Sequence, residues 1–260
     1  MTLQESYPWL DIFSLGETDS TSNQVKQYDT GKEMTVVTAE HQTAGRGQRG
    51  NSWESEEGKN LTFSILIHPQ NVVASEQFIL SQAISLAIIQ GLQSLSPGFH
   101  IKWPNDIYWN DLKMGGILIE NELCGKHIDK CVIGIGMNIN QKEFVTNPPN
   151  PVSLLQITGN THSREALLST WLTRFHELLQ QIEAGDKQPI AAAYHQALYR
   201  RTGFHPYRDA NGTFWAQIDH VEPWGPIVLK DQEGHLRTYA FKEVKYILNN
   251  NLCQNSTESY

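Results

Sequence analysis

At 260 residues, with 39% hydrophobic, 10% aromatic and 18% charged residues, the chain can bury a full core, most naturally as one large domain with a smaller companion, and is too aromatic to be disordered. Its formal net charge of -8 opposes a general affinity for nucleic acid, because a phosphate-binding surface needs a cationic excess; a local basic patch stays open. No stretch approaches the roughly 18 apolar residues of a membrane span, and MTLQESYPWLDIFSLGETDS has no basic segment leading into an apolar core.

In chain order, MTVVTAE (34–40) reads as a strand, and LTFSILIH (61–68) as a second that alternates into a buried run. Between them lies AGRGQRGNSWE, where Gly45, Gly47 and Gly50 have the G-x-G-x-x-G spacing of a dinucleotide cradle. Such a fingerprint must close a strand and open a helix, with an acid about 20 residues further on. Here the loop joins strand to strand. No helix dipole is available, so the positive charge must come from Arg46 and Arg49. The glycines suit a loop that folds closely over an anion; a plain glycine turn with solvated arginines is the alternative. With no apolar anchor between Ala44 and Trp53 to offset the entropy of ordering, residues 45–52 are predicted to be mobile until an anionic ligand binds.

Ser75 and Glu76 read as the cap and first turn of a helix running through QFILSQAISLAIIQGLQSL and stopping before Pro97-Gly98. Its apolar residues cover most of its circumference, which predicts packing beneath a sheet. Three strands follow as a meander: FHIKWPNDIYW, KMGGILIENEL and DKCVIGIGMNIN, with turns at Asn110-Asp111 and Gly125. SREALLSTWLTRFHELLQQIEAG puts Leu168, Trp171, Leu172, Phe175, Leu179 and Ile182 on one stripe and ends at Gly185, and PIAAAYHQALY continues as helix. From about Gly203 the pattern turns to short strands: HPYRDA, TFWAQIDHV, PIVLKD and RTYAFKEVKYIL. Their glycine turns predict a small barrel of about 45 residues. The expected division is 1–202, 203–249 and a disordered tail, 250–260.

Chemistry concentrates in the meander. KWPNDIYWNDLKMGGILIE brings Lys102, Asn105, Asp106 and Lys113 into one hairpin, with Gly115-Gly116 removing side chains where a strand would touch a ligand. Singly, these read as a turn, edge lysines and a bulge. Together with the arginine loop and Asn138 in GIGMN, they describe a cleft of cationic and amide groups. Such a cleft suits a reaction between two anions, whose repulsion must be neutralised first. Cys124, Cys131 and Cys253 form no C-x-x-C pair and are odd in number, as in a reducing compartment, and the ten histidines lack zinc spacing. A cytoplasmic location is expected. No nucleophile elbow or P-loop occurs.

ETDSTSN, HQTAGRGQRGNSW, KWPNDIYWNDLKMGGILIE and GIGMNIN, in this order, resemble the motifs of biotin protein ligases, and the likeness extends from about Glu17 to the KEV ending at Val244. The resemblance implies an α+β fold: a mixed β-sheet catalytic domain backed by helices, followed by a small SH3-like barrel. It also implies an ATP-dependent, Mg²⁺-assisted reaction. Biotin's carboxylate attacks the α-phosphate to give biotinyl-5′-AMP, and a lysine of a biotin carboxyl carrier protein then takes the biotinyl group.

Residue by residue, the likeness implies that Ser20, Thr21 and Gln42 hydrogen-bond the biotin head group, with Gly45, Gly116 and Gly134 giving close backbone approach. Arg46 belongs to the loop closing over biotin and the adenylate, and Lys113 sits where carboxylate meets α-phosphate. Asn105, Asn138 and Arg49 contact phosphate or nucleotide, Trp53 packs on the ligand, and Lys102 and Asp106 serve the Mg-ATP and acceptor side. Lys113, Arg46 and Asp106 are the catalytic candidates, and no metal ligands are assigned beyond the ATP phosphates. Gln48 stands where many relatives carry a basic residue, and Ser22 and Asn23 depart from the usual Asn after Ser-Thr. About 17 residues precede ETDSTS, which implies a ligase without a DNA-binding repressor domain and without specific DNA binding. A homodimer is left open. The alternatives are a lipoate ligase or octanoyltransferase, which shares the fold, and a non-enzymatic biotin-responsive binder, against which the presence of Lys113 and Arg46 argues.

Overall fold

The computed structural model describes residues 7–47, 52–144 and 150–248. Seven strands form one mixed sheet in the order β1-β2-β3-β7-β6-β5-β4. β1 (Leu10–Thr18), absent from the sequence reading, runs parallel to β2 (Met34–Gln42) on the sheet edge. β3 (Leu61–Ile67) lies antiparallel between β2 and β7 (His127–Met137). β4 (Phe99–Lys102), β5 (Asp106–Trp109), β6 (Leu112–Cys124) and β7 form the predicted meander. FHIKWPNDIYW is therefore two strands. The turn at Trp103-Pro104-Asn105, whose Trp103–Pro104 peptide is cis, splits it, because proline removes a ladder donor and restricts the residue before it.

The helices are α1 (Thr21–Gln24), α2 (Phe78–Gln93), α3 (Leu154–Thr158), α4 (Arg164–Glu183) and α5 (Gln188–Ala197). α2 begins two residues later than Glu76: Ala74–Glu76 is a 3-10 turn, and Ser75 makes no capping bond to α2. α4 is bounded as its sequence predicts, with Ser163 Oγ accepting from the Ala166 amide and Gly185 at φ 83° just past the end. α2 packs against α4, α5 and the sheet, which explains why it is apolar on nearly every side.

Alternation along β3 and β7 divides the sheet into two faces. Phe63, Ile65, Ile133, Ile135 and Met137 join the main core with the helices. Leu66 and Val132 join Val25 and Val37 in a small cluster on the opposite face. Beside that cluster, the second face carries Ser64, Gly134 and Gly136 and is left open to form a cleft.

The C-terminal strands β8 (His205–Asp209), β9 (Gly212–Val221), β10 (Ile227–Asp231), β11 (Leu236–Tyr239) and β12 (Lys245–Tyr246) form an antiparallel sheet in the order β11-β10-β9-β8-β12. Among the described residues no ladder joins β11 to β12, so the small barrel predicted is not closed. RTYAFKEVKYIL is not one strand: a turn stabilised by Glu243 Oε2, which accepts from the Ala240 amide at 2.7 Å, carries the chain from one edge to the other. The two sheets meet where Trp103 Nε1 donates to Gly225 O at 2.9 Å and Phe241 packs against Trp103 and Phe78. The hairpin bearing the candidate site residues is thereby anchored to the C-terminal sheet.

Candidate active site

A cleft of about 1160 Å³ lies over the second face of the large sheet, and the C-terminal sheet lends Lys242, Val244, Lys245 and Tyr246 to its wall. One end is polar. Thr21 donates from its amide and its hydroxyl to Gln42 Oε1, at 2.8 and 3.1 Å, which fixes the orientation of that side chain. Ser64 Oγ bridges Thr21 Oγ1 at 2.8 Å and Ser22 Oγ at 3.0 Å. Ser20, Thr21, Ser22 and Ser64 are all buried, so this end is a preorganised set of hydroxyls and an amide rather than a hydrated surface.

The floor is bare backbone. A Cβ on Gly134 would lie 2.6 Å from Ser22 Oγ, and one on Gly136 would collide with the Trp53 ring. Gly116 also faces the cleft, with 3.6 Å from its Cβ position to both Asp106 Oδ1 and Lys113 Nζ. Gly115 does not share this role: its Cβ position points into the core against Met137 Sδ. Consecutive strand residues face opposite ways, so a Gly-Gly pair serves the ligand and the core in turn.

Charge gathers at the middle of the cleft. Asp106 Oδ1 pairs with Lys113 Nζ at 2.6 Å, and its Oδ2 lies 3.6 Å from Lys102 Nζ. Lys102 is 18% exposed, and burial holds its ammonium below the usual lysine range despite the opposing pull of Asp106. Asn105 keeps its turn in register: its Nδ2 donates to Ile117 O at 2.6 Å, and its carbonyl accepts from the Ile117 amide at 2.9 Å. Asn138 Nδ2 donates to Val152 O at 3.3 Å, so that nitrogen holds the wall of the cleft. Two lysines sharing one carboxylate keep a positive excess where an anion would enter.

Within the loop predicted to be mobile, Arg46 already has partners in the protein. Its guanidinium takes both oxygens of Glu120 on β6 and donates to Asn23 Oδ1 at 3.2 Å. Glu120 and Asn23 supply the charge-assisted partners that counting apolar residues in the loop leaves out. Trp53 lines the cleft, stacked over Gly136, and its Nε1 is buried with no hydrogen-bond partner. Gly45 is held against it: a Cβ there would lie 2.5 Å from Trp53 O, and the Trp53 amide donates to Gly45 O at 2.9 Å.

The cleft thus brings together Ser20, Thr21, Gln42, Arg46, Trp53, Lys102, Asn105, Asp106, Lys113, Gly116, Gly134 and Asn138, with Gly45 at its edge. Gln48, Arg49 and Gly50 lie outside the described residues. A model of the biotin/lipoate A/B protein ligase family matches residues 15–138, the span that supplies all of these groups. Over that span the chain is similar to this family.

The biotin–[acetyl-CoA-carboxylase] ligase of Paracoccus denitrificans is 28% identical over 235 residues, covering 85% of this chain and 94% of that protein. The bifunctional ligase/repressor BirA of Bacillus subtilis is 29% identical over 232 residues, or 87% of this chain and 70% of the relative. The solved structure of biotin protein ligase from Aquifex aeolicus in complex with biotin and ATP has a TM-score of 0.76 and 25% identity, covering 91% of this chain and 99% of that one.

Three groups of the site escaped sequence reasoning. Ser64 was legible as the one serine in the apolar run of LTFSILI, a polar residue that a fully buried strand keeps only when it has partners. Glu120 closes the quoted hairpin motif, but nothing local links it to Arg46. Tyr246 enters from a separate sheet, and no sequence pattern places it here.

Proposed function

We propose that this ligase activates biotin with ATP and transfers it to a lysine of a biotin carboxyl carrier protein. The observation that carries the reading is the continuity of one cleft, from the hydroxyl-and-amide end at Thr21, Gln42 and Ser64, over the glycine floor, to Lys113, Asp106 and Lys102. A ureido ring offers both donors and acceptors to the polar end, whereas the dithiolane of lipoate offers neither, and buried polar groups left unpaired penalise the wrong ligand. The bicyclic ring then places biotin's tail along Gly134 and Gly116, with the carboxylate at Lys113.

In the first step a carboxylate oxygen attacks the α-phosphorus; the new C–O–P bond forms as the bond to the β-phosphate oxygen breaks, and pyrophosphate leaves. Lys113 neutralises charge on the carboxylate and the α-phosphate, Asp106 fixes the direction of Lys113, and Lys102 faces the leaving phosphates. Arg46 exchanges Glu120 for the ligand's anionic centre, and Trp53 covers the floor. In the second step the carrier's neutral ε-amine attacks the acyl carbon, an amide forms, a proton is lost and AMP leaves.

Asp106 and Glu54 are the carboxylates lining the described cleft, but both oxygens of Asp106 already face lysines, so Mg²⁺ would be held chiefly by the phosphates of ATP. Bound with ATP, Mg²⁺ supplies further charge neutralisation at the phosphates. The cluster of Asp231, Glu233 and His235 lies in the β10–β11 turn, remote from this chemistry, and Arg237 already pairs with Asp231.

The proposed organisation is a catalytic unit over 1–202 and a C-terminal unit over 203–249. The proposed location is the cytoplasm; no described helix is long and apolar enough to cross a membrane. Incubation with biotin, Mg-ATP and a carrier domain, read by intact mass, tests the function: one biotinyl addition on one carrier lysine is expected, and no addition, or a lipoyl addition under matched conditions, refutes it.

A further inference from the structure

Lys102 is held by two rings as well as by its carboxylate. Asp106 is committed to Lys113, leaving Lys102 a loose 3.6 Å pairing. The Lys102 ammonium also lies 5.0 Å from the centroid of Tyr108 in its own sheet and 5.0 Å from the centroid of Tyr246 on β12. Both distances are within cation–π range, and the setting is largely desolvated, where that attraction is strongest. Tyr246 is itself locked in place: it pairs with Tyr207 across the β8–β12 ladder, and its ring packs on Tyr207 at 5.0 Å and Tyr199 at 6.0 Å. Its hydroxyl is buried without a partner. The ring face is therefore the part of the side chain with a role.

We infer that Tyr246 is a positioning residue for adenylation, holding the Lys102 ammonium against Tyr108 so that it faces the phosphates of ATP before ATP arrives. A lysine has a long flexible stem, and ordering it in advance removes that entropy cost from the binding step. The C-terminal sheet thereby completes the nucleotide end of the cleft through a side chain that touches a lysine. The inference rests on the reading of Lys102 as a phosphate-facing group.

Steady-state biotin-dependent pyrophosphate exchange in the full chain provides the test. Tyr246→Leu should raise KM for ATP about tenfold, the scale of a desolvated cation–π contact, with KM for biotin and kcat within about twofold. The conservative Tyr246→Phe should restore the wild-type KM. In a Lys102→Met background Tyr246→Leu should add no further effect, which a merely structural loss would not reproduce. Tyr246→Met, which fills the space without a π face, replaces Leu if the latter lowers the thermal midpoint below the assay temperature. An unchanged KM in the Leu and Met variants, damage by Phe equal to that by Leu, or an undiminished effect without Lys102 would overturn the inference. Absence of biotin-dependent exchange in the wild-type protein would instead remove the underlying reading.

Discussion

The Arg46 guanidinium grips both carboxylate oxygens of Glu120, joining the glycine loop to a strand 74 residues further along the chain. Each side chain is more than a third exposed, so the pair contributes about 0.5–1 kcal/mol, enough to bias a loop but not to fix it. Glu120→Gln should therefore speed trypsin cleavage after Arg46 in the ligand-free protein by roughly two- to fivefold, as expected when proteolysis follows the population of the open form. Biotin plus Mg-ATP should slow cleavage in both proteins, since the ligand replaces Glu120 as the partner. Identical cleavage rates for the two ligand-free proteins would show that the pair does not restrain the loop.

Lys113→Ala should lower the rate of biotinyl-AMP formation on the order of 10²-fold or more, the cost of removing a group that acts on developing transition-state charge. Lys113 faces the cleft, so the thermal midpoint should change little. Asp106 keeps Lys102 as a partner in this variant. A variant that melts early and stays active would make Lys113 a structural lysine.

Adjacent glycines give a paired prediction. Gly116→Ala adds a methyl in ordinary contact with Asp106 and Lys113 and should fold normally while weakening biotin binding, because the new group occupies the cleft floor. Gly115→Ala drives the same methyl into Met137 and the Gly136 carbonyl and should cost about 1–3 kcal/mol of stability by overpacking. Thermal melts and biotin titrations of both variants separate the effects; equal stability losses would contradict the facing deduced for the pair.

These glycines also mark what sequence can and cannot convey. The motif shows that side chains are unwanted at 115 and 116, but strand alternation assigns one to the ligand and the other to the core only once the register with β7 is known. The meander, the two long helices and the Lys102–Lys113 hairpin were legible because turns and apolar periodicity are local. The open C-terminal sheet was not, because Ala240–Val244 reads as strand until Glu243 is seen bonding the Ala240 amide. The Glu120 and Tyr246 contacts join distant segments, and no pattern within either segment encodes such pairing.

Burial lowers the Lys102 pKa, with Asp106 opposing the shift and Lys113 and Arg200 reinforcing it. A base with a lowered pKa loses its positive charge earlier as pH rises, so kcat/KM for ATP should fall at a lower pH than the ~10.4 of an ordinary lysine would give. Lys102→Arg keeps its charge throughout and should move that alkaline limb upward. A limb that stays in place in the arginine variant would assign it to another group.

In the proposed function the polar end of the cleft selects a ureido ring and the lysine end activates its carboxylate. ATP–pyrophosphate exchange, measured in parallel with biotin, lipoate and octanoate at equal concentration in the presence of Mg²⁺, tests both halves at once. Exchange that depends on biotin and stays at background with the other two acids is the predicted result. Exchange of equal rate with lipoate or octanoate, or none with biotin, would contradict it.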